Sequence, residues 1–500
     1  MTTKNRQQQT QPSRDTLGKM ETAAPKLERT LTLSGAVRLN LLDMIGVGPF
    51  ITLPLLLGAM GGPQAMLGWI LGALLAVCDG LVWAELGAAM PEAGGTYHYL
   101  GEMFRGRLGR LLSFLFLFQL CFSAPLSVAS GCIGLSQYAT YLVPRLAVSP
   151  VIHTLRLAGY SAVFSVGPTT FVAIAAVVLA VILLYRNLAK VRVLSIVLLS
   201  AVLVTIAWAV VVGLMHGHIA QVFAFPPHAF VPNRAFFGGL GSAMLIATYD
   251  YWGYYNVTFL GGEARDPGRT IPRAVLLSIG IVAMLYLALN ASVLSVIGAP
   301  QLLAAQNLEA RRALLSQFMQ VAYAPSLGAH DATLLGKLAA LLVMVTAFAS
   351  VFSLLLGYSR IPYAAARDGN FLAAFGRLHP TRRFPHVSLL VLGAIACVCC
   401  FFSLADVIAA LVVLRILLQF VLQHIGVMLL RLRRPEMPRP FRLWLYPLPP
   451  LFALAGFGYI VVSRPNFHRE VLLAVVVAIA GCLVFAVRSA MGPSGSEVRM

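Results

Sequence analysis

Residues 36–60 read AVRLNLLDMIGVGPFITLPLLLGAM. The run has the roughly 20 apolar residues that a helix needs to cross the hydrocarbon core of a bilayer. Yet Gly46-Val47-Gly48-Pro49-Phe50 interrupts it. Proline at 49 removes a backbone donor and disfavours a helical residue at 48. The spacing predicts two half-helices, 36–45 and 50–60. In lipid, the backbone groups freed by such a break need protein or a water-lined cavity around them. The amino end of the second half offers unpaired N–H groups and a partial positive charge, which suit a carboxylate. The competing reading is a plain proline kink in a structural helix.

Outward from this stretch the same apolar texture recurs. Further spans are expected at 65–90, 108–142, 169–185, 191–215, 235–261, 272–298, 333–363, 387–404, 406–430, 444–463 and 470–488. With 36–60 they make twelve. The chain has 500 residues, 59% apolar and only 11% charged. A soluble domain carries about 25% charged residues, so a soluble enzyme, a disordered chain and a disulfide scaffold are excluded. The net charge of +19 would suggest a nucleic-acid partner in a soluble protein. Its distribution says otherwise. With both termini inside, 28 of the 37 basic residues fall in inside segments, eight outside, and Arg415 alone within a span. That bias is the signature of cytoplasmic loops. It predicts a cytoplasmic-membrane protein with both termini cytoplasmic and no nucleic-acid partner. Residues 1–35 read as a disordered cytoplasmic tail, 489–500 as a second tail. The seven cysteines lie in apolar runs at no metal spacing and read as small packing residues.

Span 6 carries a second interruption, Thr248-Tyr249-Asp250-Tyr251-Trp252-Gly253-Tyr254-Tyr255-Asn256. Spans 1 and 6 correspond if 1–5 and 6–10 are two repeats. Paired interruptions at corresponding positions point to an inverted-repeat transporter with a midplane site. Carbonyls at the second break would face a substrate ammonium. Tyr249, Tyr251, Tyr254 and Tyr255 are gate candidates and, with Trp252, offer cation–π capacity; core packing is the other reading for part of this set.

Several pieces together resemble the amino acid–polyamine–organocation (APC) superfamily of secondary transporters. They are Gly46–Phe50; Ala84-Glu85-Leu86 with Pro91-Glu92-Ala93-Gly94-Gly95-Thr96-Tyr97; Gly262-Glu263 with Asp266-Pro267, Arg269 and Ile271-Pro272-Arg273; and Arg360 with Arg367-Asp368-Gly369 and His379. The resemblance covers about residues 35–488. It implies a LeuT-like fold, a ten-helix 5+5 inverted repeat (36–430) plus two peripheral helices (431–488), in an all-α membrane protein of 12 transmembrane helices. It also implies alternating access for amino acids or related amines. By match of motif, Ile45, Gly46, Val47, Gly48 and Pro49 would hold a substrate carboxylate, with Thr248, Asp250 and Trp252 on the facing break. Proton-coupled relatives often carry a lysine in helix 5, but residues 193–214 contain none. Proton, sodium and exchange therefore stay open as coupling modes.

Charges within spans are costly, at least about 2.5–3.5 kcal/mol each on insertion scales. Each needs a partner, a water path or a neutral form. The coupling candidates are Asp43, Asp79, Glu85, Asp250 and Arg415. Asp43 is a cation or proton site, or a partner of free backbone near the break. Glu85 suits a latch with a basic loop residue, or a structural ion pair. Asp250 either meets the substrate amine or caps a half-helix. Arg415, with Gln419 and Gln423 on its face, is expected to pair with Asp79 or Asp250. Thr346, Ser350 and Ser353 on span 8 are either sodium ligands or packing hydroxyls.

The expected function is a secondary active transporter for amino acids or related organic amines, proton-linked or exchanging. The alternatives are a polyamine or organocation permease and a non-transporting sensor. No enzyme motif, metal site or cofactor is expected. The partners are a small amine or amino-acid substrate, membrane lipid, and a proton or sodium ion.

Overall fold

A computed structural model describes residues 27, 29–157, 160–186, 188–304, 313–403, 411–464 and 466–490. Both expected tails lie wholly or mostly outside the described residues, as do Arg311 and Arg312. The chain is mostly helical. The first expected span is two helices, α1 (Leu33–Met44) and α2 (Leu53–Met60). Then come α3 (Met66–Ala89), α4 (Thr96–Phe104), α5 (Gly106–Leu142), α6 (Pro168–Leu184) and α7 (Leu188–His216). The sixth expected span is α8 (Arg234–Tyr251) and the single turn α9 (Asn256–Phe259), followed by α10 (Pro267–Val296). After these run α11 (Leu314–Tyr358), α12 (Arg360–Arg367) and α13 (His386–Cys399). The last three are α14 (Leu411–Arg433), α15 (Leu448–Val462) and α16 (Phe467–Ala490).

Among the described residues, seven helical segments are long and apolar enough to cross a membrane: Pro63–Ala89, Gly106–Leu142, Lys190–His216, Pro267–Val296, Leu314–Arg367, Leu411–Arg433 and Phe467–Ala490. The helices α6, α13 and α15 are apolar and shorter. This is an integral membrane architecture. Leu, Val and Phe crowd the outward surfaces, as on α16, where lipid replaces the water that a soluble surface would meet.

The structure corrects the sequence reading at three places. The fold is not all-α: strands β1 (Val151–Leu157) and β2 (Tyr160–Val166) form an antiparallel hairpin, and β2 also pairs with β3 (Phe402–Ser403). Val, Ile and Phe make this connection β-prone, and it is too short for another crossing. Ahead of span 8 lies a helical stretch from Leu314 that the sequence reading did not name, separated from the span by a break at Gly328, where φ is 81°. The half-helix expected from residue 50 starts at Leu53. Phe50 N–H turns back to Val47 O (3.0 Å) and Ile51 N–H to Gly48 O (2.8 Å), which makes a 3-10 turn at Gly48–Phe50 first.

Small residues let the helices that frame the site approach closely. Gly68 and Gly72 of α3 lie on α8. A methyl group at Gly68 would meet Ala243 Cβ at 2.8 Å, and one at Gly72 would meet Ala247 Cβ at 3.2 Å. Six of the largest buried rings, Trp69, Trp83, Tyr251, Tyr254, Tyr255 and Tyr286, lie in or around the second break.

Candidate functional site

The two breaks touch. Gly253 has φ +124°, open to glycine at little cost. A Cβ there would stand 2.8 Å from Met44 N and 2.9 Å from the Asp43 carbonyl carbon. At Gly48 a Cβ would run into the Asp250 carboxylate. Glycine at both positions lets backbone meet backbone and side chain across the junction.

Side chains staple this junction. Tyr286 Oη lies 2.6 Å from Met44 O and 3.3 Å from Asp250 O, so one phenol serves the carbonyls of both breaks. Asn40 donates to Tyr254 O (2.6 Å) and accepts from Val257 N–H (2.9 Å), replacing the helical partners that the second break removes. Asn256 donates to Ser353 Oγ (2.9 Å), and Ser353 donates to Leu39 O (2.8 Å). Ser350 donates to Asp43 O (3.2 Å) and Thr346 to Leu342 O (2.9 Å). The three hydroxyls thus stitch helices or bond their own backbone. Asn40 and Tyr286 carry no signal in the sequence, and Asn256 stands there only as the end of the second interruption. The role of the amide at 40, nine residues before Pro49, is visible only once tertiary contacts are known.

Between the breaks lies a cavity of about 190 Å³. Its wall includes Asp43, Gly46, Val47, Gly48, Thr52, Tyr249, Asp250, Trp252, Gly253, Tyr255, Ser350, Tyr358 and Arg415. Gly46 N–H is drawn back to Met44 O (3.1 Å). Among the described residues, the N–H groups of Val47 and Gly48 have no backbone acceptor. Both residues lie on the cavity wall. Thr52 Oγ1 donates to Asp250 Oδ2 (2.6 Å), which fixes that carboxylate beside Gly48. Asp43 Oδ1 and Trp252 Nε1 are buried without a hydrogen-bond partner among the described residues. Buried polar atoms are nearly always paired, and both of these residues line the cavity.

Arg415 is placed differently from expectation. It pairs with neither Asp79 nor Asp250. Its Nη2 donates to Tyr255 Oη (2.7 Å) and Tyr358 Oη (2.9 Å), and its Nε to Gln419 Oε1 (2.9 Å). Its guanidinium lies 5.1 Å from the centre of the Trp252 ring and 5.7 Å from those of Tyr255 and Tyr358. Planar guanidinium stacks on rings and donates in its plane at once, so an aromatic cage substitutes for a carboxylate. The π turn Ile416–Val421 begins immediately after it, and such turns recur at functional sites.

Other expected site residues fall outside the wall. Ile45, Pro49 and Thr248 do not line the cavity, and neither do Tyr251 and Tyr254. Tyr251 packs edge-on against Trp69 at 5.5 Å and donates to Trp69 O (3.3 Å). Tyr254 donates to Asp79 Oδ2. Both rings are fully buried. Tyr249 is 43% exposed and pairs with Trp252 at 5.3 Å. Asp79 is also away from the cavity, with His424 Nε2 3.3 Å from its Oδ1. Glu85 takes Arg431, with Nε–Oε1 at 2.9 Å, and Arg439 at 3.4 Å, besides the N–H of Leu443. Nearby at the same end of the bundle, Arg360 Nε donates to Glu263 Oε1 (2.8 Å).

Comparison with known proteins fits this arrangement. Residues 31–487 match the family described as amino acid permease. The chain is 24% identical to the serine/threonine exchanger SteT of Bacillus subtilis, over 93% of this chain and 98% of the relative. It is 25% identical to the branched-chain amino acid permease BcaP of the same organism, over 86% and 89%. To the human Asc-type amino acid transporter 1 it is 24% identical, over 92% and 82%. The chain belongs to the amino acid permease family of the APC superfamily, and is a multi-pass protein of transmembrane transport.

Proposed function

We propose that this chain is a secondary active transporter of small neutral amino acids, working by alternating access in the cytoplasmic membrane with both termini inside. The observation that carries the reading is the shared cavity: backbone donors of Val47 and Gly48 on one side, the Asp250 carboxylate on the other. An α-amino acid carries a carboxylate and an ammonium bonded to the same carbon, and this wall offers one partner to each. The volume, about 190 Å³, is below the ~300–1,000 Å³ of drug-sized sites, which supports a small solute. The relatives named as serine/threonine and branched-chain transporters support the same class.

The architecture proposed is twelve crossings. Residues 36–430 form a transport core of two inverted repeats, and 431–488 form two peripheral helices. The matching positions of the two breaks support the repeat. The pairs Glu85–Arg431 and Glu263–Arg360 would close the cytoplasmic end while the cavity faces outward, and must part for release. Ile45 and Pro49 set the shape of the first break without touching the solute.

A polyamine substrate is the second reading, supported by Asp43 and Asp250 on one wall. Arg415 on the same wall repels a second cationic centre, which favours the amino acid. The test is uptake into proteoliposomes from a panel of labelled amino acids and diamines, with pH and sodium gradients imposed separately. Saturable uptake or counterflow of neutral amino acids is expected. Absence of any amine transport would refute a transporter and leave a sensor.

A further inference from the structure

We propose that Asp79 and His424 together hold a transported proton, and that Tyr254 passes its presence to the second break. This rests on the transporter reading above and adds the coupling ion and its seat.

Hydrogen-bond geometry carries the argument. Asp79 on α3 and His424 on α14 are both fully buried. His424 Nδ1 lies 2.7 Å from Phe420 O. A carbonyl oxygen only accepts, so Nδ1 carries a hydrogen. The neutral ring then has Nε2 as a bare acceptor, and Nε2 faces Asp79 Oδ1 at 3.3 Å. The other carboxyl oxygen, Oδ2, is occupied by the hydroxyl of Tyr254. The gap between Nε2 and Oδ1 therefore holds one proton. With it, the pair is neutral overall and hydrogen-bonded, whichever atom the proton sits on. Without it, two lone pairs face each other and the pair carries one unbalanced negative charge in a sealed interior. Such a charge is strongly disfavoured unless the surroundings move.

Among the described residues, no fixed cation is bonded to the pair. Cys78 precedes Asp79 on α3. From the second break come Tyr254 and, beside it, Tyr255. Across α3, α10 contributes Ile279 and Val275 opposite Gly80; Tyr286 on that helix bonds the break carbonyls. Phe457 of α15 stands edge-on to His424 at 6.0 Å, and Met103 of α4 covers Gly426. On α14 itself, Arg415 is held by Tyr255, Tyr358 and Gln419. Asp43 of α1 lines the cavity, and Asp250 on α8 is taken by Thr52. Glu85, farther along α3, has two arginines. Of the acids within spans, Asp79 is the one whose partner is itself a proton acceptor.

The link to transport is Tyr254. Its side chain is on Asp79, while its carbonyl is held by Asn40 and its neighbour Gly253 abuts Met44. Losing the proton strains the Asp79–His424 contact and, through Tyr254, the junction of both breaks. One proton from external water would enter with the outward state and leave to cytoplasmic water from the inward state, so charge and atoms balance with no further reactant.

The test uses the full-length protein in proteoliposomes with labelled L-serine, L-threonine and L-leucine. A one-unit gradient, alkaline inside, is worth up to about tenfold accumulation for one proton per solute. Wild type should show accumulation, and its uptake should fall as external pH rises. In Asp79→Asn and His424→Gln the accumulation ratio should fall to about one, with counterflow retained and the pH profile flattened. Tyr254→Phe, which keeps the pair intact, should retain counterflow and lose most of the accumulation, and so tests the proposal if either other variant fails to fold. Accumulation preserved in His424→Gln or Asp79→Asn would overturn it. So would wild-type counterflow with no response to the pH gradient, a result that leaves the transporter reading standing. No movement of any of the amino acids in the wider panel would instead overturn that reading.

Discussion

The two helix breaks do the same topological work with opposite chemistry. The first, at 45–52, is glycine and proline, and offers backbone N–H groups. The second, at 252–255, is aromatic, and what it offers is side chains: Trp252 and Tyr255 on the arginine cage, Tyr254 on Asp79. The first break leaves the Val47 and Gly48 N–H groups without a backbone acceptor among the described residues, while Ser350 and Tyr286 hold the carbonyls of Asp43 and Met44 just before it. The second depends on partners brought from α1, α3, α10 and α14. A solute that carries both signs needs both kinds of break, and Gly253 against Met44 is where they are joined.

The strongest way to break this comparison is Gly253→Val. A β-branched residue at φ +124° is strained, and its Cβ would enter the backbone at Asp43–Met44. Uptake should fall by more than about 100-fold, on the order of 3 kcal/mol or more, with a lower melting temperature in detergent. A stable, active variant would show that the breaks are not joined there. Asp250→Asn comes next. Losing a charge-assisted contact of about 1.5–3 kcal/mol should weaken uptake roughly 10- to 100-fold; unchanged kinetics would remove Asp250 from the site. Asn40→Leu leaves Tyr254 O and Val257 N–H unpaired at about 1–3 kcal/mol each. It should lower the melting temperature by several degrees, and labelled solute should bind with affinity changed less than by Asp250→Asn. Thr52→Val removes one hydrogen bond to Asp250, about 1 kcal/mol, so affinity should drop only a few-fold.

The contrast between the breaks also explains what could be read from sequence. Proline at 49 and the glycines at 46 and 48 announce a break by local chemistry alone, and the second break is visible from Gly253 among aromatics. Asp250 and Arg415 were legible because a charge within an apolar run stands out. Their partners were not. Arg415 answers to Tyr255 and Tyr358, which are 160 and 57 residues away, and aromatic residues near a break fit a gate and a cage equally well in sequence. His424 escaped notice because a lone histidine beside Gln423 carries no spacing signal, and because its meeting with Asp79 is purely tertiary. Arg431 and Arg439 read only as loop charges, and their joint hold on Glu85 depends on how the chain returns after α14. The β-hairpin is not legible because each of its strands is only seven residues long and mixes apolar with polar positions, a short signal beside the helical runs.

The most direct test of the shared site is equilibrium binding of labelled L-serine to purified wild type and Gly48→Leu. The side chain introduced at 48 would collide with the Asp250 carboxylate and fill the space beside the Val47 and Gly48 donors. The account predicts saturable binding by wild type and none by a folded Gly48→Leu protein. Binding of equal affinity by both would contradict a solute held between the two breaks.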